Sequence, residues 1–466
     1  MKTLLSRLDL SYIYVLLGEA TLGLTFVFYI LLARILGPAR YEIFASAVAL
    51  GAILSLFIQF GLPTLLTREV AANPEEAPKY TMEFLLLEGL TFLGVLVLLL
   101  PIALMLGYKG DGLTVCYLVI LAEFCRSAKM TVRSVMRGMG WFGAETVSVA
   151  LERFLAVLLA GAVLLLTKNL VWVVATFVLA RAIDFLGLLF YLGRKRRIWS
   201  TFSFNSLLQT LRRAYPFALS GVIWILYYQI DLVMLKAIAP VGEAGFYSAA
   251  YRVMEIFSTL PRVVFYVGFT KFSQYHASAP DRLPEEIYKS MRLLLAIVPP
   301  ALVAAGLLQP KLVRAIYGDA FARSVLPLAI LLPSLSVKMF GTLAEQFLQT
   351  TGREKYLPPL LFSAMATNVV ANFILIPVLG AVGSAFATLL SEVMLWLVGL
   401  SLMSRVGYGQ ISKSICIIAA ISLLVAIVPT LMLKGLPAIF GIGLIIPSIA
   451  AIILLMRRDR FLGQIS

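Results

Sequence analysis

Residues 113–136 read LTVCYLVILAEFCRSAKMTVRSVM, and this stretch is long and apolar enough to cross a bilayer as a helix. It nevertheless carries three bases, Arg126, Lys129 and Arg133, and Arg137 follows directly. Spacings of three, four and four residues return the four bases to one face of a helix. A charged side chain near the bilayer centre costs about 2.5–3.5 kcal/mol even on the gentler insertion scale. The pattern therefore predicts a partner, or a cavity for something anionic, inside a membrane protein.

The composition places the rest of the chain in the membrane as well. Its 466 residues are 61% hydrophobic, with a mean hydropathy of +0.95, whereas the apolar share of a soluble globular protein is nearer half. Apolar windows of spanning length recur along the chain, so we predict an all-α polytopic protein with fourteen spans. They lie at about 10–36, 41–63, 81–106, 113–136, 144–167, 169–193, 215–239, 245–270, 290–316, 325–351, 355–377, 380–405, 412–433 and 437–456.

The distribution of the basic residues predicts the orientation. The net charge of +15 resembles that of nucleic-acid-binding proteins, but Lys and Arg concentrate in alternate connections, including the run at 194–197. The positive-inside rule then places both termini in the cytoplasm, as an even number of spans requires. We expect a multi-pass protein of the cytoplasmic (inner) cell membrane with no nucleic-acid partner. Three scattered cysteines and a single histidine predict no metal site, and we expect no cofactor.

An internal duplication divides the chain. LLARILGPARYEIFASAVAL, from Leu31, aligns without gaps with VMLKAIAPVGEAGFYSAAYR, from Val233. Further on, Gly140 and Gly352 close the fourth helix of each copy at a slightly larger shift. Six spans per copy predict two parallel repeats related by an axis along the membrane normal, with spans 13 and 14 appended. The predicted parts are an N lobe (1–193), a cytoplasmic linker (194–214), a C lobe (215–405) and a C-terminal part with spans 13 and 14 (406–466).

The linker, RKRRIWSTFSFNSLLQTLRRA, has two interpretations. Its apolar residues among bases are typical of an amphipathic helix in the membrane interface. A basic stop anchor explains the same residues equally well.

Several stretches resemble the polysaccharide transport family, the flippases of lipid-linked oligosaccharides. That family belongs to the superfamily that also holds multidrug extruders and the lipid II flippase (the MOP, or MATE-like, superfamily). The stretches are LARILGPARYEIFASA (32–47), QFGLPTLLTREVA (59–71), DLVMLKAIAPVGEAGFYSAAYRV (231–253), QTTGREKYLP (349–358) and GSAFATLLSE (383–392). The resemblance implies two lobes around a central cavity and transport by alternating access. It also implies a transporter rather than an enzyme.

The implied substrate is a polyprenyl-diphosphate-linked oligosaccharide, moved from the cytoplasmic to the outer leaflet for cell-surface polysaccharide biosynthesis. A diphosphate suits a basic stripe, because guanidinium groups bind phosphate oxygens bidentately and an ammonium acts as a point charge. A second stripe in the eighth span, with Arg252, Glu255, Thr259 and Arg262, repeats the theme. The predicted anion-binding residues are Arg126, Lys129, Arg133, Arg252 and Arg262.

Other charges in the spans have predicted partners or predicted coupling roles. Pairs three residues apart on one helix are expected for Glu123 with Arg126, Arg252 with Glu255, and Arg181 with Asp184. Lys338 and Glu392 are expected to pair across two helices, and Glu152 or its neighbour Arg153 needs a partner from another helix. Asp231 and Glu19 have no cationic neighbour one turn away in their spans. They are candidates for binding Na⁺ or a proton, or for pairing with a base of the two stripes.

Two other functions remain open on the sequence alone. A multidrug or organic-cation extruder of the same superfamily would need acids in its cavity. A membrane-embedded glycan polymerase or ligase would need a large outer loop. We expect contact with membrane lipids. Both a monomer and an association with the glycan polymerase machinery are compatible with the sequence.

Overall fold

The chain is helical throughout the part that the structure describes. The computed structural model describes residues 10–195 and 204–409. Thirteen α-helices and no strand lie in these two ranges. The helices are α1 (Leu10–Gln59), α2 (Leu62–Ala72), α3 (Ala77–Met105), α4 (Asp111–Gly138), α5 (Phe142–Thr167), α6 (Leu170–Lys195), α7 (Phe204–Ile238), α8 (Glu243–Phe257), α9 (Thr259–Ser278), α10 (Leu283–Tyr317), α11 (Val325–Thr350), α12 (Leu357–Leu379) and α13 (Ala381–Met403).

The helices agree with the predicted all-α polytopic class. Eight stretches in the described ranges are long and apolar enough to cross a membrane, so the chain is a multi-pass membrane protein. The first two predicted spans form one element, α1, which bends at Gly37 (φ 76°, ψ 173°) just before Pro38. Only glycine adopts such a backbone conformation readily, and proline disfavours a continuous helix. Spans 13 and 14 lie outside the described residues, so the total of fourteen stays a prediction.

The eighth predicted span is not one helix. The structure interrupts residues 245–270 at Ser258, between α8 and α9. Pro261 is then the third residue of α9, where the backbone N–H that proline lacks has no intrahelical partner in any case. Ser258 itself keeps right-handed helical backbone angles (φ −66°, ψ −15°), so the interruption is local and the shared face of the second basic stripe stays a prediction.

Residues of the predicted linker are described from Phe204 onward, and there they are helical. They continue without a break into the seventh predicted span as α7. Leu207 and Ala214 are buried in an apolar cluster with side chains of α2, α3, α4 and α6. Thr210 contacts Glu83 of α3, and Arg213 pairs with Glu69 of α2.

Two compact units make up the chain, Met1–Ala237 and Ile238–Ser466. In the first unit α4 packs against α1, α2, α3 and α6, and in the second α13 packs closely against α11 and α12. Gly140 and Gly352 follow α4 and α11 with φ of 78° and 69°, the left-handed conformation that favours glycine at a helix C-terminus. The predicted ends of the two fourth helices are thus confirmed, whereas the repeat as a whole and the lobe boundaries stay predictions.

Candidate functional site

The bases of α4 lie in a buried ionic cluster with acids from three helices of the first unit. α4 contributes Glu123 together with its bases, α5 contributes Glu152, and α6 contributes Arg181 and Asp184. We call these seven side chains the first-unit cluster: Glu123, Arg126, Lys129, Arg133, Glu152, Arg181 and Asp184.

Two of the predicted anion-binding bases are enclosed in this cluster. Lys129 is 1% exposed, pairs with Glu152 and lies 3.7 Å from an oxygen of Asp184. Arg133 is 4% exposed and donates to Asp184 at 2.9 Å and to Ser148 at 2.7 Å. The structure therefore supplies the partners that these bases lack on their own helix. The sequence predicts that Glu152 or Arg153 needs a partner on another helix. Glu152 has such a partner in Lys129 of α4.

The expected pair between Arg181 and Asp184 does not form. Arg181 donates instead to Glu123 on α4 at 2.8 Å and lies 3.8 Å from Glu152. Asp184 accepts from Arg133 and from Ser148, the latter at 2.7 Å. A spacing of three residues makes a pair on one helix possible but does not require it. Here the charged groups on neighbouring helices offer closer contacts.

Arg126 and Arg181 form the accessible edge of the cluster. Arg126 donates to Oε2 of Glu123 at 2.6 Å, which confirms the predicted pair, and to Ser55 of α1 at 3.2 Å. The two arginine side chains are 30% and 25% exposed, whereas the carboxylate that they share is 8% exposed. Guanidinium groups have five N–H donors each, so donors remain at this edge for another acceptor.

The formal charge of the cluster is +1, because its four bases face three acids. An excess positive charge next to a partly exposed pair of guanidiniums suits an anionic ligand. Sequence reasoning missed Arg181 in this role, since its nearest acid along the helix suggested a structural pair. The available signal was that α4 carries four bases but only one acid, Glu123, within a turn of any of them, so partners had to come from elsewhere.

A further buried acid borders α4 on another side. Glu88 of α3 is 0% exposed, and its Oε1 accepts from Ser127 at 2.7 Å and from Thr131 at 2.9 Å. Its Oε2 has no hydrogen-bond partner among the described residues. Glu88 was not among the residues predicted from the sequence.

The remaining predicted residues are not brought into this cluster. Arg252 donates to Glu255 at 2.7 Å, as expected, in the second unit. Asp231 is buried in α7. The side chains of Arg262 and Glu19 lie outside the described residues. Anion binding by Arg252 and Arg262, and ion coupling by Asp231 and Glu19, therefore stay predictions.

Charged contacts also join both ends of α7 to other helices of the first unit. Near its end, Lys236 donates to the buried Glu42 of α1 at 2.9 Å. Near its start, Arg213 pairs with Glu69. Burial alone would raise the pKa of the Glu69 carboxyl, but the hydrogen bonds and charges of Arg213 and Arg68 outweigh it and lower the pKa below its ordinary value.

Comparisons with known proteins agree on fold and family. A sequence model described as "Polysaccharide biosynthesis protein" matches residues 11–276. An uncharacterized membrane protein of Methanocaldococcus jannaschii is 23% identical over 417 residues, which cover 84% of this chain and 97% of that protein. The probable flippase AglR of Haloferax volcanii is 25% identical over 170 residues, 35% of each chain.

A solved structure extends the likeness over nearly the whole chain. The lipid II flippase MurJ, in an inward closed conformation, superposes with a TM-score of 0.76 at 13% identity. The match covers 98% of this chain and 100% of MurJ. The two proteins therefore share a fold.

Proposed function

The chain belongs to the polysaccharide biosynthesis protein family, as its sequence motifs predict, and from this premise we propose that it is a flippase. Its proposed substrate is a polyprenyl-diphosphate-linked oligosaccharide, carried from the cytoplasmic to the outer leaflet by alternating access. The first-unit cluster is the observation that carries this proposal, because a surplus base at its accessible edge suits a diphosphate. The likeness to a probable flippase and the fold shared with a lipid II flippase support the same class of function.

The residues of the cluster have different proposed roles. Arg126 and Arg181 contact the diphosphate, because their side chains are the partly exposed ones. Lys129 and Arg133 are almost fully buried against Glu152 and Asp184, so they act by holding the cluster together. This differs from the assignment based on sequence alone, which counted Lys129 and Arg133 among the anion-binding bases and did not include Arg181.

Two observations disfavour the alternative functions. An organic-cation extruder needs an acidic cavity, whereas the first-unit cluster has one base in excess. A glycan polymerase or ligase needs a large outer loop, and the predicted outer connections 106–110, 168–169 and 239–242 are short.

Flipping of a defined substrate tests the proposal. The purified protein is reconstituted into liposomes with a labelled polyprenyl-diphosphate-linked oligosaccharide, and the label that a glycosidase reaches from outside is followed over time. We expect flipping by the wild-type protein and its loss in Arg126→Gln and Arg181→Gln. Arg314→Gln, an exposed arginine of α10 outside the cluster, is the matched control and should flip at the wild-type rate.

Two arms of the same assay separate the alternatives. A polyprenyl-monophosphate-linked glycan should be flipped more slowly, because it offers fewer oxygens to the two guanidiniums. Efflux of a fluorescent organic cation, with no flipping of the glycan, would show an extruder instead. Flipping that survives in both arginine variants would reject the assigned contacts.

Coupling to Na⁺ or H⁺ is the second part of the proposal, with Asp231 and Glu19 as the coupling acids. Asp231→Asn and Glu19→Gln are then expected to slow flipping while substrate binding stays largely intact, because the acids serve coupling and not recognition. Flipping rates measured under imposed Na⁺ and pH gradients test this. Wild-type rates in both variants under every gradient would exclude these acids.

Location and partners complete the proposal. We place the protein in the cytoplasmic membrane with both termini in the cytoplasm, on the strength of the positive-inside rule. Its partners are membrane lipids and the lipid-linked glycan. Co-purification of glycan polymerase components would distinguish a member of an assembly from a monomer.

A further inference from the structure

Two aromatic side chains stand together on α7, outside the first-unit cluster. The ring centroids of Trp224 and Tyr228 lie 4.6 Å apart, as a spacing of four residues on one helix allows. Tyr227, which is buried, contacts the Tyr228 ring edge-to-face at 5.0 Å. Trp224 is 55% exposed. We call Trp224 and Tyr228 the aromatic pair of α7; the protein holds it from one side and leaves the Trp224 ring open.

The membrane interface does not account for the aromatic pair. Trp and Tyr collect at the two membrane–water interfaces, whereas Tyr228 lies in the middle of the predicted span 215–239. Gln229 and Asp231 follow it directly, and of the eight candidate spans in the described ranges this one is the least apolar. Polar side chains at mid-depth are costly against lipid tails and usually face protein or a water-filled cavity.

α7 runs antiparallel to the second half of α1. Near one end of the pair of helices, Lys236 donates to Glu42 at 2.9 Å. Near the other end, a Cβ atom at Gly221 would lie 3.7 Å from the side chain of Leu56. The aromatic pair lies about 5–10 Å farther along α7 than Gly221, at 1.5 Å per residue. It therefore begins almost level with Leu56.

The same stretch of α1 contacts the accessible edge of the first-unit cluster. Ser55, which precedes Leu56, accepts a hydrogen bond from Arg126 at 3.2 Å. Arg126, α1 and the aromatic pair all belong to one compact unit, Met1–Ala237. In a lipid-linked glycan the first sugar is bonded directly to the diphosphate. A diphosphate on Arg126 would thus bring that sugar to the level of the aromatic pair.

We propose that the aromatic pair of α7 binds a sugar ring of the lipid-linked glycan, the one next to the diphosphate. The inference rests on the proposed function and names the part of the substrate that this face recognises. The face of an aromatic ring carries partial negative charge, and the C–H groups on one side of a pyranose carry partial positive charge. The two surfaces therefore stack. Trp and Tyr also supply a large contact area for a small loss of conformational freedom.

Binding of two probes to the detergent-purified protein tests the proposal. One probe is the polyprenyl-diphosphate-linked oligosaccharide, and the other is the same polyprenyl diphosphate without sugar. We expect the wild-type protein to bind the first more tightly, because only that probe reaches the aromatic pair. Trp224→Ala and Tyr228→Ala should lose this advantage and bind the sugar-free probe as wild type does. Trp172→Ala, which removes a similarly exposed tryptophan of α6, is the matched control and should keep the advantage.

Conservative variants separate stacking from a structural role. Trp224→Phe and Tyr228→Phe retain a ring, so they should keep most of the preference for the glycan probe. A purely structural role for these side chains would lower the yield of the alanine variants and leave their preference between the two probes unchanged. That result would contradict the proposal.

A third probe distinguishes a failure of this site from a failure of the flippase proposal. The free oligosaccharide carries neither lipid nor phosphate, and saturation-transfer NMR detects its weak contact with aromatic protons. We expect transfer in the wild-type protein and its loss in the double variant Trp224→Ala/Tyr228→Ala. If this pattern is found but flipping is not, the sugar site stands and only the flippase proposal fails.

Three outcomes would overturn the proposal. Equal affinity of the wild-type protein for the two lipid probes would show that the sugar adds no contact. A preference that survives in both folded alanine variants would place the sugar elsewhere. Alanine variants that lose affinity for both probes alike would assign the aromatic pair to the polyprenyl chain instead.

Discussion

At the residue scale, the buried bases of α4 owe their stability to carboxylates on other helices. Lys129 and Arg133 lie between Glu152 of α5 and Asp184 of α6, with no more than a few per cent of either base exposed. Removing Arg133 leaves the buried Asp184 with Ser148 and with Lys129, 3.7 Å away, as its remaining partners. The loss of the closest cation of a buried carboxylate destabilises by more than the pair itself contributes.

We therefore predict that Arg133→Ala lowers the amount of folded protein in the membrane. The loss of the guanidinium removes the closest cation from Asp184. Because Lys129 still compensates part of that charge, the cost should stay below about 3–5 kcal/mol, the value for a fully unpaired buried charge. Membrane abundance and thermal stability in detergent measure the effect. Arg133→Ala combined with Asp184→Asn should recover part of the stability, and Arg314→Ala should change little. Normal abundance with lost flipping would instead return Arg133 to the substrate contacts.

Glu88 gives a second prediction at this scale. Glu88→Gln should leave stability nearly unchanged, because its amide oxygen can accept from the same hydroxyls of Ser127 and Thr131. Glu88→Ala leaves both hydroxyls without this acceptor and opens a cavity, at a cost of about 1–3 kcal/mol. Thermal unfolding of the two variants in the same detergent compares them. Equal stability of both would show that the carboxyl is not needed as an acceptor.

Some ionic contacts were predictable from the sequence, and others were not. The pairs Glu123–Arg126 and Arg252–Glu255 follow from helical spacing alone. The pair Lys338–Glu392 was predicted by matching depth in two spans. The partners of Arg181 and Asp184 depend on how α4, α5 and α6 pack. The periodicity of the sequence does not predict that packing.

At the element scale, the close approach of α12 and α13 depends on one glycine. A Cβ atom at Gly383 would lie 2.6 Å from the carbonyl carbon of Leu375, which is backbone and cannot move aside as a side chain does. The two helices can therefore pack this closely only when residue 383 has no side chain.

Gly383→Ala is accordingly predicted to destabilise the protein by about 1–3 kcal/mol, since the two backbones must move apart. Gly187→Ala in α6 is the matched control. Nothing lies within 4 Å of a Cβ there, and alanine favours a helix interior over glycine by about 0.5–1 kcal/mol. Thermal unfolding of both variants measures the difference. A Gly383→Ala protein as stable as wild type would contradict the observed helix packing.

The pair Arg213–Glu69 makes the attachment of α7 to α2 sensitive to pH. The pKa of Glu69 in the folded protein lies below its ordinary value of 4.5. The stabilisation is therefore fully present above that ordinary value and is lost as the pH falls through the folded pKa.

The prediction concerns the difference in unfolding temperature between wild type and Arg213→Gln. This difference should be present at about pH 7 and should shrink toward about pH 4 as Glu69 gains a proton. Arg212→Gln, an exposed neighbour on the same helix, is the control and should match wild type throughout. A difference that stays constant with pH would exclude the ion pair as its source.

Helix positions were largely predictable, whereas helix interruptions were not. Apolar windows placed the spans because the bilayer fixes their length. The break at Ser258 lies in a sequence, EIFSTLPR, whose only signal is Pro261 three residues later. Proline is also tolerated inside membrane helices, so its presence does not decide between a bend and a break.

At the scale of the whole molecule, the arrangement of charges predicts the topology. Reporter fusions after residue 195 and at both termini should report the cytoplasm, and a fusion in 106–110 should report the outside. Cysteine accessibility at the same positions is an independent check. An outside location for the 194–214 linker would reverse the orientation of every span in the first unit.

The family could be predicted from the sequence at this scale, but the substrate contacts could not. Motifs such as LARILGPARYEIFASA lie at helix ends and turns, where local sequence determines local structure. Which bases of the first-unit cluster are accessible depends on burial by other helices. The partly exposed Arg126 and Arg181 could therefore be distinguished from the buried Lys129 and Arg133 only from the packing of the helices.

The position of Glu123 between Arg126 and Arg181 has a consequence for the turnover rate of the proposed carrier. Its carboxylate already occupies donors of Arg126 and Arg181, so the phosphate of the proposed substrate would have to compete with it for the same two guanidiniums. Such an internal competitor weakens binding and in return speeds release, since each departing phosphate oxygen can be replaced by a carboxylate oxygen. Turnover requires both steps. In the proposed flippase, a side chain that weakens substrate binding would therefore favour turnover.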